Sequence, residues 1–136
     1  MLQNSGFRPL GRQECLRLLA KVPVGRIVYT RQALPAVLPV NFCLGPDSAV
    51  LLRTSGDSDL ARAVDGAVVA FEVDEFDAAT RSGWSVVVTG RAGLVPDPAE
   101  SEPPDGEGGP DSWMPVRDGV LVRIETEVVS GRELTG

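Results

Sequence analysis

Residues Leu34–Leu60 read LPAVLPVNFCLGPDSAVLLRTSGDSDL, and the way this stretch folds constrains everything around it. It divides into an apolar strand over Leu34–Leu44, a tight turn at Gly45-Pro46-Asp47-Ser48, and a second strand over Ala49–Thr54. Turn residues of this kind between two apolar runs join antiparallel strands. A Gly-containing turn then opens a short helix over Ser58–Val64, with Leu60 and Val64 as its inner face. Pro35 and Pro39 interrupt the first strand. Proline cannot donate to a ladder, so the strand there is an edge, a bulge or a place facing a ligand. Backbone groups near Val40 and Asn41 are therefore expected to serve something other than a neighbouring strand. Arg53, Thr54, Ser55, Ser58 and the N–H groups from Asp57 onward are expected to converge on one point. Charge, hydroxyls and a helix start together describe an anion site, with phosphate as the usual guest.

Outward from this stretch, Gly11–Val22 places Cys15, Leu18, Leu19 and Val22 at helical spacing, which predicts an amphipathic helix laid on a core. Gly25–Thr30, Ala67–Phe76, Gly83–Val95 and Gly119–Thr126 read as further strands, with Gly90 marking a bulge or close contact. Trp84 and Trp113 fit core or interface positions better than cofactor stacking, and the acids of Glu72–Asp77 fit a solvated face. Six strands joined by hairpin-length turns, without βαβ alternation, predict a mainly β protein. The expected form is a single domain over residues 1–136, an antiparallel barrel with helices at its ends.

Composition narrows the chemistry. The chain contains no histidine, which removes Ser-His-Asp catalysis, His-ligated zinc and His-held haem. Its only lysine is Lys21, so no good Schiff-base candidate remains. Cys15 and Cys43 lie in apolar periodic segments and are expected as free thiols. The net charge of −6 is concentrated in one place, because Pro96–Asp111 holds six acids and no base. With five prolines and three glycines, that segment is expected to be a mobile surface loop. No basic stripe remains elsewhere, so nucleic acid binding is not expected. No run of 18 apolar residues predicts a membrane span. The first residues, MLQNSGFRPL, lack the pattern of a secretory signal, and a cytoplasmic address is expected.

These stretches, taken in order, resemble the pyridoxamine 5′-phosphate oxidase-like, FMN-binding split-barrel proteins. The matching segments are LPAVLPVNF, AVLLRTSGDSDLARAV, AVVAFEVDEFDAATRSGWSVVVTGRA and WMPVRDGVLVRI, together with the leading helix. The resemblance implies a six-stranded split β-barrel that forms a homodimer with flavin sites at the subunit interface. It places the isoalloxazine ring along Ala36–Asn41, hence Val37, Leu38, Pro39, Val40 and Asn41. Arg53, Thr54 and Ser58 would hold the FMN phosphate. Ser85 would reach the ring from the partner subunit, and Trp113 with Arg123 would close the pocket.

Two departures stand out. Asp59 occupies a position where the family commonly carries a basic residue beside the phosphate. The late strand, Asp118-Gly119-Val120-Leu121, lacks the Arg and His with which authentic pyridoxamine phosphate oxidases grip their substrate, so vitamin B6 oxidation is not expected. The resemblance thus implies an FMN-dependent oxidoreductase or flavin reductase acting on a small molecule, no catalytic side chain being assigned. The alternative is a non-catalytic flavin-binding or sequestering module, or a cofactor-free dimer. A deazaflavin in place of FMN ranks below FMN, because its longer phosphodiester tail suits a more basic groove.

Overall fold

The structure, a computed structural model, describes residues 7–97, 116 and 118–135. In chain order its elements are β1 (Phe7–Leu10), α1 (Arg12–Leu19), β2 (Val24–Arg31), β3 (Leu34–Asn41), β4 (Cys43–Leu44), β5 (Val50–Ser55), α2 (Asp59–Val64), β6 (Val68–Asp77), β7 (Ser82–Pro96), β8 (Gly119–Ile124) and β9 (Val128–Leu134). Hydrogen-bonded neighbours run β3-β2-β6-β7-β8-β5-β4, with β9 joining β7 to β1. All of the described pairings are antiparallel. The mainly β, split-barrel expectation holds, with nine strands in place of six. The additions have two sources: β1 and β9 pair with each other across the whole chain, Phe7 opposite Leu134, and the strand expected over Leu34–Leu44 breaks at Phe42 into β3 and β4.

The long strand β7 organises the fold. Its first part pairs with β6 on one side and, through Gly83–Thr89, with β9 on the other. Its last part, Ala92–Pro96, pairs with β8. The strand changes partners at Gly90, where an added Cβ would lie 1.7 Å from the Glu125 carbonyl oxygen. The connection from β8 to β9 is pinned there, since Glu125 N donates to Arg91 O at 3.0 Å and Arg91 N donates to Glu127 Oε2 at 2.7 Å. The sequence signal at Gly90 is thus a close backbone approach.

Alternation along the strands sends Ile27, Phe71, Val73, Val86 and Val88 inward to meet Leu52, Val122 and Ile124 from the other sheet. Phe42 packs edge-to-face on Phe71 with ring centroids 4.7 Å apart. Helix α1 buries Cys15 and Leu19, with Leu18 and Val22 packed at the margin, as its periodicity predicts. Trp84 belongs to the core. No helix among the described residues is long and apolar enough to cross a membrane.

Gly90→Ala is expected to cost about 3 kcal/mol, because the methyl group forces backbone against backbone. Gly93→Ala, farther along β7 with nothing within 4 Å of the added carbon, is expected to stay within about 1 kcal/mol of the parent. Urea denaturation of the two variants measures the difference.

Candidate functional site

Strand β3 ends the sheet path and pairs only with β2 among the described residues. Its prolines fix which groups face the open edge. Pro35 lies opposite Thr30 and Pro39 opposite Arg26, and neither can donate to β2. Antiparallel pairs alternate between bonded and non-bonded, so Val37, between the two prolines, also turns its N–H and C=O away from β2. Leu38 and Val40 turn theirs into the ladder, opposite Ile27 and Gly25. The backbone available at this edge is therefore centred on Val37 and not, as expected, on Val40. The Val37 side chain is 60% exposed. Asn41 closes the strand with Nδ2 donating to Pro23 O at 3.5 Å.

The second element is the turn into α2. Ser58 caps the helix, its Oγ accepting from Ala61 N at 3.1 Å. The same Oγ lies 3.0 Å from Thr54 Oγ1, so two hydroxyls meet at the end of β5. Leu52, on the same face of β5 as Thr54, is in the core.

Arg53 does not join them. Neighbouring residues of a strand point to opposite faces, and Arg53 turns to the outer face. There its guanidinium forms a fork with Asp97, Nη2 donating to Oδ1 at 3.1 Å and Nε donating to Oδ2. Asp97 is the buried charged residue of the described fold, its side chain 1% exposed. The expected convergence of Arg53 with Thr54 and Ser58 is corrected on this point. So is the reading of Pro96–Asp111 as a loop throughout, since Asp97 is fixed inside the protein; residues 98–111 lie outside the described region.

Asp59 lies beside the Thr54–Ser58 pair and is gripped by two arginines. Arg31 Nη2 lies 2.9 Å from its Oδ2, and Arg62 Nη2 donates to its Oδ1 at 2.7 Å. Arg31 comes from the hairpin that opens β3, so this ion pair ties the β3 edge to the α2 turn. Gln32 and Ala33 form that hairpin with φ of 53° and 65°. Left-handed turns of this type ordinarily use Asn-Gly, and RQAL carries no such signal. That is why the position of Arg31 over α2 could not be read from sequence.

Ser85 sits elsewhere, on the outer face of the other sheet, opposite Asp74 on β6 and Arg132 on β9. It lines a cleft of about 260 Å³ with Phe7, Phe76, Val87, Ser130 and Arg132. Arg123 is on the outer face of β8, where Nε donates to Glu125 Oε1 at 2.8 Å and Nη2 donates to Asp47 Oδ2. These carboxylates raise the Arg123 pKa, and the hydrogen bond from Arg123 is the chief cause lowering that of Asp47. Trp113 lies outside the described residues. Within one chain Thr54 meets Ser58 and the Arg31–Asp59 pair ties the β2–β3 hairpin to the turn at Ser58, while Ser85 and Arg123 occupy separate faces.

The acids of β6 are more than a solvated face. Arg26 Nη1 donates to Glu72 Oε1 at 3.1 Å and to Asp74 Oδ2 at 3.4 Å. The Glu72 carboxyl is pushed up to about 7, first by burial and then by Asp74 on the same face, with Arg26 offsetting part of the rise.

Two predictions follow from these charges. Asp97→Ala leaves the Arg53 guanidinium, 17% exposed at its side chain, without its carboxylate. It is expected to cost about 3 kcal/mol in urea denaturation, much of it recovered by Arg53→Met in the same chain. For Glu72, the folded state retains a proton that the unfolded chain releases above its ordinary value of 4.5. That contribution is full below the ordinary value and is lost as pH rises towards 7. Glu72→Gln is therefore expected to raise Tm relative to the parent progressively from about pH 5 to about pH 8.

Known proteins resemble this chain in sequence and fold. A family model described as pyridoxamine 5′-phosphate oxidase matches residues 11–133. The uncharacterized protein Rv0080 of Mycobacterium tuberculosis is 43% identical over 127 residues, covering 90% of this chain and 82% of that protein. The FAD binding protein of Mycobacterium smegmatis is 30% identical with a TM-score of 0.72, covering 94% of this chain and 98% of that one. A FAD-binding protein of Mesorhizobium loti, 23% identical with a TM-score of 0.73 over 95% of this chain and 99% of that one, shares the fold. By the extent of the family match and the identity to these relatives, the chain belongs to the pyridoxamine 5′-phosphate oxidase family.

Proposed function

We propose that this protein binds FMN as a homodimer and acts as an FMN-dependent oxidoreductase or flavin reductase on a small molecule. The observation that carries the reading is the open edge of β3, tied through the Arg31–Asp59 ion pair to the α2 turn whose cap, Ser58, meets the Thr54 hydroxyl. A flavin ring presents donors and acceptors along one edge. Val37 N–H and C=O, free of the ladder, match such an edge, and the carbonyls of Pro35 and Pro39 extend it. The exposed Val37 side chain gives the ring an apolar neighbour. Thr54 and Ser58 supply hydroxyls to the phosphate end. Arg53 keeps its partner Asp97 and contributes to the position of β5 in place of the phosphate contact that the resemblance implied.

A bound flavin supplies the hydride and electron chemistry. The chain's own part is to hold the ring edge, fix the phosphate end and keep one ring face open to a reactant. A second copy would bring Ser85, Trp113 and Arg123 to the same ring, since Ser85 and Arg123 lie on faces remote from the β3 edge of their own chain. The FAD-binding names of the structural relatives support a flavin in general. FMN is the form matched by a single hydroxyl pair.

Titration of FMN and of FAD into the purified protein, followed by flavin fluorescence, tests the reading. Quenching at micromolar protein, tighter for FMN, is expected. A colourless protein that leaves both flavins unquenched would overturn the assignment. Val37→Pro refines it. The fold is expected to tolerate proline there, as at Pro35 and Pro39, whereas the ring loses one donor. FMN and riboflavin should then weaken alike, by about tenfold, as for an acceptor left without its donor. Light scattering is expected to give a dimer, and a monomer would count against the composite site.

A further inference from the structure

The arginine that the sequence offers to a phosphate is engaged on the outer face of β5, and two others stand at the start of α2. Arg31 and Arg62 meet at Asp59, the residue that follows Ser58, in a cleft of about 230 Å³ lined also by Thr30, Gln32 and Ala63. We propose that Arg31 and Arg62 form the cationic clamp for the flavin phosphate, with Asp59 as the residue that positions both. This inference rests on the flavin reading and assigns the charge that reading leaves open.

Three features separate these arginines from Arg53. The first is placement. Arg62 Nη1 also donates to the Asp57 carbonyl at 2.6 Å, so its guanidinium lies along the turn that Ser58 caps. Arg31 reaches the same turn from the β2–β3 hairpin. The second is exposure. The side chains of Arg31, Arg62 and Asp59 are 51%, 64% and 56% exposed, so solvent screens their pairing and an incoming dianion can compete for both guanidiniums. Arg53 and Asp97 are sealed together instead. The third is charge balance. Two guanidiniums share the Asp59 carboxylate, whereas Arg53 takes both oxygens of Asp97.

Asp59 then has a purpose despite its sign. Each of its oxygens takes one arginine, so a single carboxylate orders both guanidiniums. Holding a flexible side chain in place before the ligand arrives reduces the ordering cost of binding. The hairpin supports the same arrangement: two consecutive residues without a glycine adopt left-handed φ to deliver Arg31 to α2.

The test compares FMN with riboflavin, which lacks the phosphate, on the full chain carrying Arg31→Gln, Arg62→Gln, both, or Asp59→Ala. Each arginine variant is expected to retain the parent Tm, because exposed pairs add little stability. FMN should weaken by about tenfold per arginine, the size of a lost charge-assisted hydrogen bond, with riboflavin unchanged. Asp59→Ala should weaken FMN less than either arginine variant, again sparing riboflavin. Equal losses for the two ligands, or none, would overturn the clamp and leave the flavin assignment standing. Should the parent bind neither flavin, the flavin assignment fails by itself, and inorganic phosphate then decides the clamp. The Arg31 and Arg62 Nε–H resonances, assigned through the single variants, are expected to shift with phosphate. Unmoved signals would overturn the proposal.

Discussion

At Gly90 the backbone of β7 lies so close to the Glu125 carbonyl that only a hydrogen atom fits between them, and both halves of the barrel depend on that contact. Before it, β7 is a central strand between β6 and β9; after it, the same strand is paired to β8. A side chain at this point would push the β8–β9 connection outward and separate the two sheets that share Phe71, Val88 and Ile124. The consequences reach the site through the ladder. β8 aligns β5, which presents Thr54 to one face and Arg53 to the other. β6 aligns β2, and β2 holds β3 at the edge.

The arginines fall into two physical classes. Arg53 and Arg123 lie on the outer face of the β5–β8 pair, each bound by carboxylate oxygens. Arg53 in particular exchanges hydration for the buried Asp97 carboxylate, and removing either member leaves a charge in a poor solvent. Arg31 and Arg62 remain largely in water, where their attraction to Asp59 is weak and reversible. An arginine of the first class is part of the fold, and one of the second class is available to a ligand.

Several features were legible in the sequence because their signals are local. The amphipathic helix, the Gly45–Ser48 turn, the short helix begun near Ser58 and the close approach at Gly90 each carry a signal within a few positions of one another. Pro35 and Pro39 marked an edge strand correctly, while the register that singles out Val37 needed the pairing with β2. What escaped was non-local or unsignalled. Nothing near Phe7 announces its partner at Leu134, and nothing near Asp97 announces Arg53. The acidic segment disguised Asp97 further, since its composition describes solvent. Asp59 looked like a misplaced charge because Arg31, its partner from a hairpin without glycine or asparagine, could not be placed beside it.

The open edge of β3 has one more implication, for the company this protein keeps with other chains. A free strand edge invites a foreign strand to pair along its length, which is the first step of edge-to-edge aggregation. Pairing in that way requires donors at every second residue, and at β3 two of the three outward positions from 35 to 39 are prolines, Pro35 and Pro39. The one donor between them, at Val37, suffices for a small heterocycle and cannot sustain a ladder. The same two prolines thus keep an open edge from serving as a template for another polypeptide strand.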